Sequence, residues 1–383
     1  MNNGTRADRF AAMTAPRTVA AALASLFFIA LLLRNPDIPI KYVSRGLTLC
    51  TTAVIPTLFP FMALSELLVR TGGGELMGRL LRRPMHALFG LSGAGSCAYL
   101  LGAVCGFPVG TRAAIMLYDR GLMTRRETER LVTFCNYPSS AFMISAVGTA
   151  LWHDRRLGAA MYVSVLLAGT LCGIAGGIPA RIAKKKSGNA AAPLPAIRKP
   201  EPSALPDSVT AAALSTLNVC AYVAFFSCVV GCISCIISRF SPSRTTEAVI
   251  YSLFEVTSGA AASSAVRPTG VGILLCTAAA GWSGLSVHMQ IFSVCSSAKN
   301  ARPRLGGYLI SKAVQAPLSA LIMLTAMKLF PSLSQSAAPT GTFTPHGTGM
   351  TAFSVAVLIL FLSALAAAVI TKLAKRKQVK EKA

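Results

Sequence analysis

The chain alternates between long stretches without charged residues and short segments rich in arginine and lysine. A membrane-spanning helix needs about 20 consecutive apolar residues. The apolar residues run continuously instead of alternating in short strands, which disfavours a β-barrel. The pattern therefore predicts an all-α polytopic membrane protein. The uncharged windows cover residues 18–33, 46–65, 84–111, 131–153, 157–180, 208–238, 268–298 and 351–371.

Two of these windows are interrupted near their middle by glycine together with proline or serine. The window 84–111 is broken at Gly106-Phe107-Pro108-Val109-Gly110, and the window 268–298 at Gly281-Trp282-Ser283-Gly284. Two legs of about a dozen residues reach the middle of a bilayer and no further. We therefore predict two re-entrant hairpins, with the glycines providing the tight reversal. Matching interrupted segments, one in each half of a chain, are typical of transporters with a central site.

Proline is expected to break a later helix in each half. Pro138 lies inside the window 131–153, and Pro317 lies inside a helix predicted over 306–330. Proline removes a backbone donor and disfavours helical geometry at the residue before it. The interval from Gly106 to Pro138 is similar to the interval from Gly281 to Pro317. This spacing favours an inverted repeat that combines re-entrant hairpins with broken transmembrane helices.

The domain organisation follows from these windows and from the composition between them. The Arg-rich loops at 70–83, 112–130 and 181–199 favour the cytoplasmic side, while the side of the C-terminal tail stays open. An amphipathic piece, Glu75 to Leu88, suits a helix in the plane of the interface. The predicted parts are an N-terminal helix and loop over 1–45, a first repeat over 46–180, a basic cytoplasmic linker over 181–207, a second repeat over 208–330, and a polar loop, last transmembrane helix and basic tail over 331–383.

Composition supports a membrane protein and identifies its surroundings. Of the 383 residues, 53% are hydrophobic and 13% are charged, and the net charge is +24. In a soluble protein such a charge would suggest nucleic acid. Here lysine and arginine lie between the apolar windows, as the positive-inside rule predicts. We therefore expect the lipid bilayer as partner, no nucleic acid, and a multi-pass location in the cell membrane.

No catalytic motif stands out, and the expectation is that the chain is not an enzyme. Phosphate-binding loops, zinc-protease motifs and serine nucleophile elbows are absent from the sequence. Four scattered histidines make a histidine-based metal cluster improbable, and no cofactor is expected. The eleven cysteines lie mostly within apolar windows. We interpret them, including Cys232-x-x-Cys235, as small packing residues.

Candidate site residues are the polar groups and backbone breaks inside the apolar windows, because such groups usually face a cavity or a partner helix. Asn136 either binds solute or satisfies backbone groups freed by Pro138. His288 and Gln290 are two residues apart, so at most one of them is expected to face the site. Glu66 is expected to pair with Arg70, and Lys312 to snorkel from a helix end. The predicted substrate-binding residues are Gly106, Pro108, Asn136, Ser139, Ser140, Ser283, Ser286, His288, Gln290 and Gln315.

The two motifs with the greatest specificity resemble one known family. The chain resembles the YlbJ-like sporulation integral membrane proteins in both halves. The stretches that carry the resemblance are Gly106-Phe107-Pro108-Val109-Gly110, followed by 117–122 and 130–136, and Gly281-Trp282-Ser283-Gly284-Leu285-Ser286-Val287-His288-Met289-Gln290. That family carries the nucleoside-recognition or Gate domain, similar to concentrative nucleoside transporters and to the membrane part of FeoB. The resemblance implies an inverted Gate-like repeat with two re-entrant hairpins and a role in endospore formation. It does not supply the substrate.

Two hypotheses for function follow. The first is a transporter or channel-like permease for a small polar solute, nucleoside-like or an ion, held between the hairpin tips and the broken helices. The second is a structural scaffold of the sporulation envelope without transport activity, docking partners through the basic linker and tail. Substrate, coupling ion and oligomeric state, including self-association, stay open.

Overall fold

The computed structural model describes residues 16–187 and 202–335, and every regular element in these two ranges is helical. The predicted last helix at 351–371 and most of the predicted linker lie outside the described residues. In chain order the elements are α1 Pro16–Arg34, α2 Asp37–Leu49, a π-helical turn Cys50–Val54, α3 Ile55–Arg70, α4 Gly73–Leu80, α5 Arg82–Pro84, a π-helical turn Met85–Phe89, α6 Gly95–Cys105, α7 Val109–Asp119, α8 Arg125–Val132, a π-helical segment Phe142–Leu151, α9 Arg155–Ser187, α10 Ala204–Ile237, a 3₁₀ turn Ser238–Phe240, α11 Arg244–Phe254, α12 Val256–Ser264, α13 Thr269–Trp282, α14 Gly284–Ser296, α15 Gly306–Leu329 and α16 Ser332–Gln335.

Within the described ranges, four helical stretches are long and apolar enough to cross a membrane, namely Arg155–Ile182, Ala204–Phe240, Thr269–Ser296 and Gly306–Leu329. A fifth candidate is the pair formed by α1 and α2, which is bent by 101°. At about 1.5 Å per residue each of the four exceeds the roughly 30 Å of hydrocarbon. Pro317 lies inside α15 without ending it, so the predicted break in that helix is wrong.

The first predicted hairpin is present. Helices α6 and α7 have 11 residues each and pack against one another, with the chain reversing at Gly106-Phe107-Pro108. Each leg is about 16 Å long, which is half the thickness of the hydrocarbon core. Gly106 has φ +84°, a conformation that residues with a side chain rarely adopt. The tip of this hairpin therefore lies near the middle of the bilayer.

The second hairpin is not where the glycine pattern predicted it. The segment 268–298 runs through as one interrupted span of α13 and α14, broken at Ser283 and Gly284, whose φ values are +78° and +79°. The reversal instead lies between α11 and α12, which pack against each other and meet at Glu255. The extended Glu255 ends α11, and its carboxylate accepts the first backbone N–H groups of α12. A side-chain cap thus makes the turn that glycine and proline make in the first hairpin.

Each half of the chain consequently follows the same order of hairpin, broken span and continuous span. In the first half these are α6–α7, then α8 with Phe142–Leu151 broken around Asn136, then α9. In the second half they are α11–α12, α13–α14 and α15. The interval from tip to break, Gly106 to Asn136 and Glu255 to Ser283, is similar in both halves.

The two hairpins enter from opposite faces of the protein. At one face the loop after α14 meets the end of α7, where the backbone N–H of Lys299 donates to Asp119 at 3.1 Å. At the other face Trp152, after the first broken span, contacts Gly272 near the end of the second hairpin. We name the first of these the basic face, because it carries Arg70, Arg112, Arg120, Arg125, Lys299 and Arg304. The positive-inside rule favours the cytoplasm for this face, and this orientation stays a prediction.

In each half the hairpin tip packs on the break of the span that follows it. The N–H of Phe107 donates to the carbonyl of Tyr137 at 2.7 Å, and Gly106 lies directly against Ser139. In the second half Gly284 lies against the backbone of Glu255. Glycine is required at these contacts, since a Cβ at position 106 would lie 2.5 Å from the nitrogen of Ser139.

We predict that Gly106→Ala destabilises the protein more than Gly121→Ala does. Both positions have positive φ, but a Cβ at Gly121 meets nothing within 4 Å. Gly121→Ala should cost only the left-handed strain of about 1–2 kcal/mol, whereas Gly106→Ala adds a clash with backbone. Thermal unfolding of the two purified variants in detergent measures the difference. Equal midpoints would contradict the packing of this tip on the break.

Candidate functional site

A cavity of about 290 Å³ lies where the two hairpin tips meet the two broken spans. From the first half it is lined by Phe107 at the tip and Ser139 at the break. From the second half it is lined by Glu255 at the tip and by Ser286 and Gln290 of α14. The remaining wall is mainly apolar. The site thus combines an apolar pocket with a few converging polar groups, as is typical of small-molecule sites.

Gln290 has unused hydrogen-bonding capacity in this cavity. Its side chain is buried, and within the described residues its Oε1 atom accepts no hydrogen bond. A buried polar atom without a partner is costly, so an orphan beside a cavity marks a place for a ligand group or a water. Gln290 lines the cavity, and its amide is therefore a candidate polar contact for a ligand there.

Glu255 is the acidic group of the site. Its two carboxylate oxygens accept the backbone N–H groups of Thr257 at 2.9 Å and Ser258 at 2.6 Å, and the residue is 4% exposed. Glu255 also lines a second cavity, of about 720 Å³, together with Tyr42, Arg45 and Arg244. That cavity lies on the side of the molecule opposite the basic face. The Glu255 carboxylate therefore stands between the larger cavity and the central one.

Lys312 links the breaks of the two halves. This lysine of α15 is completely buried, and its Nζ donates to the backbone carbonyl of Asn136 at 2.6 Å and to Oγ of Ser283 at 3.4 Å. The prediction that Lys312 snorkels to the interface is wrong. A buried ammonium is stable only when acceptors surround it, and the chain supplies them from the carbonyl freed at the Pro138 break and from the left-handed Ser283.

The side chain of Asn136 is engaged by the protein itself. Its Oδ1 accepts the hydroxyl of Thr111 at 2.7 Å, and its Nδ2 donates to the carbonyl of Val132 at 2.8 Å. Of the two alternatives for this residue, the structure shows the one in which it satisfies backbone and neighbours around the break. Its amide is not among the groups that line the central cavity.

His288 and Gln290 face different neighbours, as their spacing predicts. His288 Nδ1 is 2.9 Å from the hydroxyl of Tyr308, and its ring packs edge-on against Trp282. Gln290 lines the central cavity, whereas His288 does not. His288 therefore connects α14 to α15 and lies behind the wall of the site.

The other predicted residues divide between the cavity and its supports. Ser140 lines an adjoining cavity of about 300 Å³ that shares Ser139 with the central one. Gln315 donates from Nε2 to the carbonyl of Val165 at 3.1 Å and lies away from the central cavity. Gly106 and Pro108 flank Phe107 without lining the cavity.

Of the predicted residues, Ser139, Ser286 and Gln290 line the central cavity. The predicted set did not include Glu255, which also lines it, or Lys312, which bridges the two breaks. A signal existed for both residues. Glu255 stands in an apolar stretch with no cation nearby, followed by Thr257 and Ser258, whose N–H groups it caps. Lys312 stands well inside an apolar helix, where a lysine needs internal acceptors.

The charged residues predicted near the basic face are paired. Glu66 is buried and binds Arg70 at 3.1 Å, as expected for residues one helical turn apart, and it also binds Arg112 at 2.9 Å. All eleven cysteines are free. Within residues 16–187 and 202–335, no group of three metal-ligating side chains is found.

These features define a multi-pass, all-α membrane protein with a small, mainly apolar cavity between two hairpin tips. Over 340 residues, covering 79% of this chain and 81% of the relative, the sequence is 25% identical to the sporulation integral membrane protein YlbJ of Bacillus subtilis (strain 168). No family model matches the chain, and no solved structure matches it. The similarity agrees with the resemblance to YlbJ-like proteins, while the Gate domain and nucleoside recognition stay predictions.

We predict that Lys312→Met destabilises the protein, whereas Lys328→Met on the same helix leaves its stability nearly unchanged. The first variant deprives the Asn136 carbonyl and the Ser283 hydroxyl of a buried charged donor, which should cost about 1–3 kcal/mol. Lys328 is exposed near the other end of α15. Thermal unfolding of the purified variants checks this, and a Lys312→Met protein as stable as the control would show that the bridge is dispensable.

Proposed function

We propose that the protein is a permease that moves a small polar solute across the bilayer through the cavity between the hairpin tips. The observation that carries this proposal is a mainly apolar cavity between the hairpin tips that is lined by Glu255 and by Gln290, whose Oε1 atom has no partner among the described residues. A solute there would be enclosed by both halves of the chain.

Alternating access follows from the arrangement of the tips. Each tip is held on a break by a few contacts, such as the Phe107 N–H to the Tyr137 carbonyl. Withdrawal of a hairpin from its break would open the cavity toward the face from which that hairpin enters. Broken helices that surround a site between two repeats are the usual basis of such rocking motions.

The central cavity is connected differently to the two faces of the protein. The cavity of about 720 Å³ reaches Glu255 from the side opposite the basic face. On the basic side, the Glu66–Arg112 ion pair joins α3 to α7, the second leg of the first hairpin. These features support a conformation in which solute approaches from the side opposite the basic face.

We place this activity in spore formation. The Bacillus subtilis relative is described as a sporulation integral membrane protein, and the similarity extends over most of both chains. The proposed location is therefore a membrane of the developing spore or of its mother cell. A scaffold of the spore envelope without transport is the competing function, and it makes no use of the cavity.

Filling the cavity distinguishes the two functions. Ala146 lines the central cavity and Ala175 faces outward on α9, so Ala146→Phe and Ala175→Phe make the same chemical change in different places. In Bacillus subtilis lacking YlbJ and complemented with this chain, we expect Ala146→Phe to abolish spore yield and Ala175→Phe to retain it. Immunoblots of membranes confirm equal insertion. Full spore yield with Ala146→Phe would favour the scaffold.

Gln290→Leu should weaken solute binding far more than Gln315→Leu. Both remove a buried amide with an unpartnered carbonyl oxygen, but only Gln290 lines the cavity. Loss of one hydrogen bond to a buried ligand is worth about 1–3 kcal/mol, roughly ten- to hundredfold in affinity. A thermal-shift screen of small polar solutes on the purified protein supplies a ligand, and counterflow in proteoliposomes compares the variants. Equal losses would remove Gln290 from the site.

A further inference from the structure

A second polar cavity opens at the basic face, separate from the central site. It has a volume of about 260 Å³ and lies between α3, α7 and the end of α14. Four basic and two acidic side chains line it, which leaves an excess of positive charge. They are Arg70, Arg112, Arg120 and Lys299, with Glu66 and Asp119.

The acidic groups of this cavity are already occupied. Glu66 accepts from Arg70 on one oxygen and from Arg112 on the other. Asp119 accepts the backbone N–H groups of Lys299 at 3.1 Å and Asn300 at 3.3 Å. These carboxylates therefore hold the walls together and leave little capacity to bind a cation.

Several donors, in contrast, are unused. Arg112 binds Glu66 through Nε at 2.9 Å, and within the described residues its two terminal nitrogens have no hydrogen-bond partner. The Lys299 side chain is exposed at the rim and likewise has no partner among those residues. A guanidinium with a free pair of N–H groups matches two oxygens of a phosphate, and a nearby ammonium adds a point charge. The cavity is thus built for a phosphate-like anion.

The neighbouring helix places this cavity at headgroup depth. Helix α4 follows α3 directly, and its Leu76 and Leu80 are exposed, at 59% and 79%. The first turn of α4 packs against the protein, and its Glu75 is buried. Such a helix lies in the interface with its leucines among the acyl chains. Lys299 lies at the end of α7 and would hold a phosphate level with the lipid headgroups, and the side chain of Arg112 would reach that phosphate from about 10 Å deeper along α7.

We propose that this cavity binds the phosphate of an anionic phospholipid headgroup in the leaflet at the basic face, with the Arg112 fork and Lys299 as its ligands. Basic pockets between transmembrane helices on the cytoplasmic side suit such headgroups. The proposal concerns a site apart from the central cavity and does not depend on solute transport.

The test uses the full-length protein in nanodiscs of zwitterionic phosphatidylcholine, titrated with short-chain phosphatidylglycerol. We expect saturable binding that weakens with salt, and about a tenfold or greater loss of affinity in Arg112→Gln/Lys299→Gln. Arg126→Gln, an exposed arginine at the same face, is the matched control and should bind like the wild type. The single variant Lys299→Gln changes only a surface residue and should fold even if a variant at Arg112 does not. We expect it to lose part of the affinity for phosphatidylglycerol.

Two further probes separate the sources of phosphate. Short-chain phosphatidylcholine should bind at least tenfold more weakly than phosphatidylglycerol, and inorganic phosphate should compete only weakly because it gains nothing from the adjacent acyl region. Equal affinity of the Lys299→Gln and Arg126→Gln variants would overturn the site. If phosphatidylcholine or inorganic phosphate bound as tightly as phosphatidylglycerol, the assignment of the site to an anionic lipid would be overturned.

Discussion

Backbone that leaves a helix inside a bilayer must find hydrogen-bond partners within the protein, and this constraint organises the whole structure. In each half the backbone leaves a helix at the hairpin tip and again at the break in the next span. In each half the hairpin tip packs on that break. The Phe107 N–H uses the carbonyl of Tyr137, and the N–H groups at the start of α12 use the carboxylate of Glu255. The polar groups of the protein are thereby gathered near the middle of the membrane, where a cavity lies between them.

The side chain of Lys312 joins the halves at this level. Lys312 takes its acceptors from the Asn136 carbonyl in one half and the Ser283 hydroxyl in the other. Elsewhere the halves meet through packing of α9 against α15 and of α10 against α3, and through hydrogen bonds such as those of Lys299 with Asp119 and of Gln315 with Val165. Apolar contact is non-directional and tolerates small shifts, whereas hydrogen bonds to a buried charge hold a fixed geometry. The bridge therefore sets the register of the two breaks and so the shape of the cavity.

The sequence predicts those features whose cause is local. Glycine and proline at 106–110 specify the first reversal, and Pro138 specifies the first broken span. The position of the second hairpin was not predicted, because its turn depends on Glu255 capping α12. A carboxylate in an apolar stretch is equally compatible with a position at the membrane interface. Gly281–Gly284 resembles a tip, yet Ser283 and Gly284 only interrupt a span. Lys312 carries a local signal, its position in an apolar helix, but its partners come from the tertiary structure, which is why a lysine expected at the interface bridges the two breaks. Pro317 lies in a helix that continues through it, which the local pattern did not predict.

Charge distribution connects this interior to its orientation. The same arginines that assign the basic face to the cytoplasm also pair with Glu66 and tie α3 to α7. At the opposite face the cavity that reaches Glu255 is lined by both acidic and basic groups, including Glu247 and Arg244. The first hairpin is thus tied to α3 by an ion pair at the basic face, while a cavity reaches Glu255 from the other face. Under the proposed permease function, the inverted repeats would let the two faces exchange these conditions if the two hairpins exchanged roles.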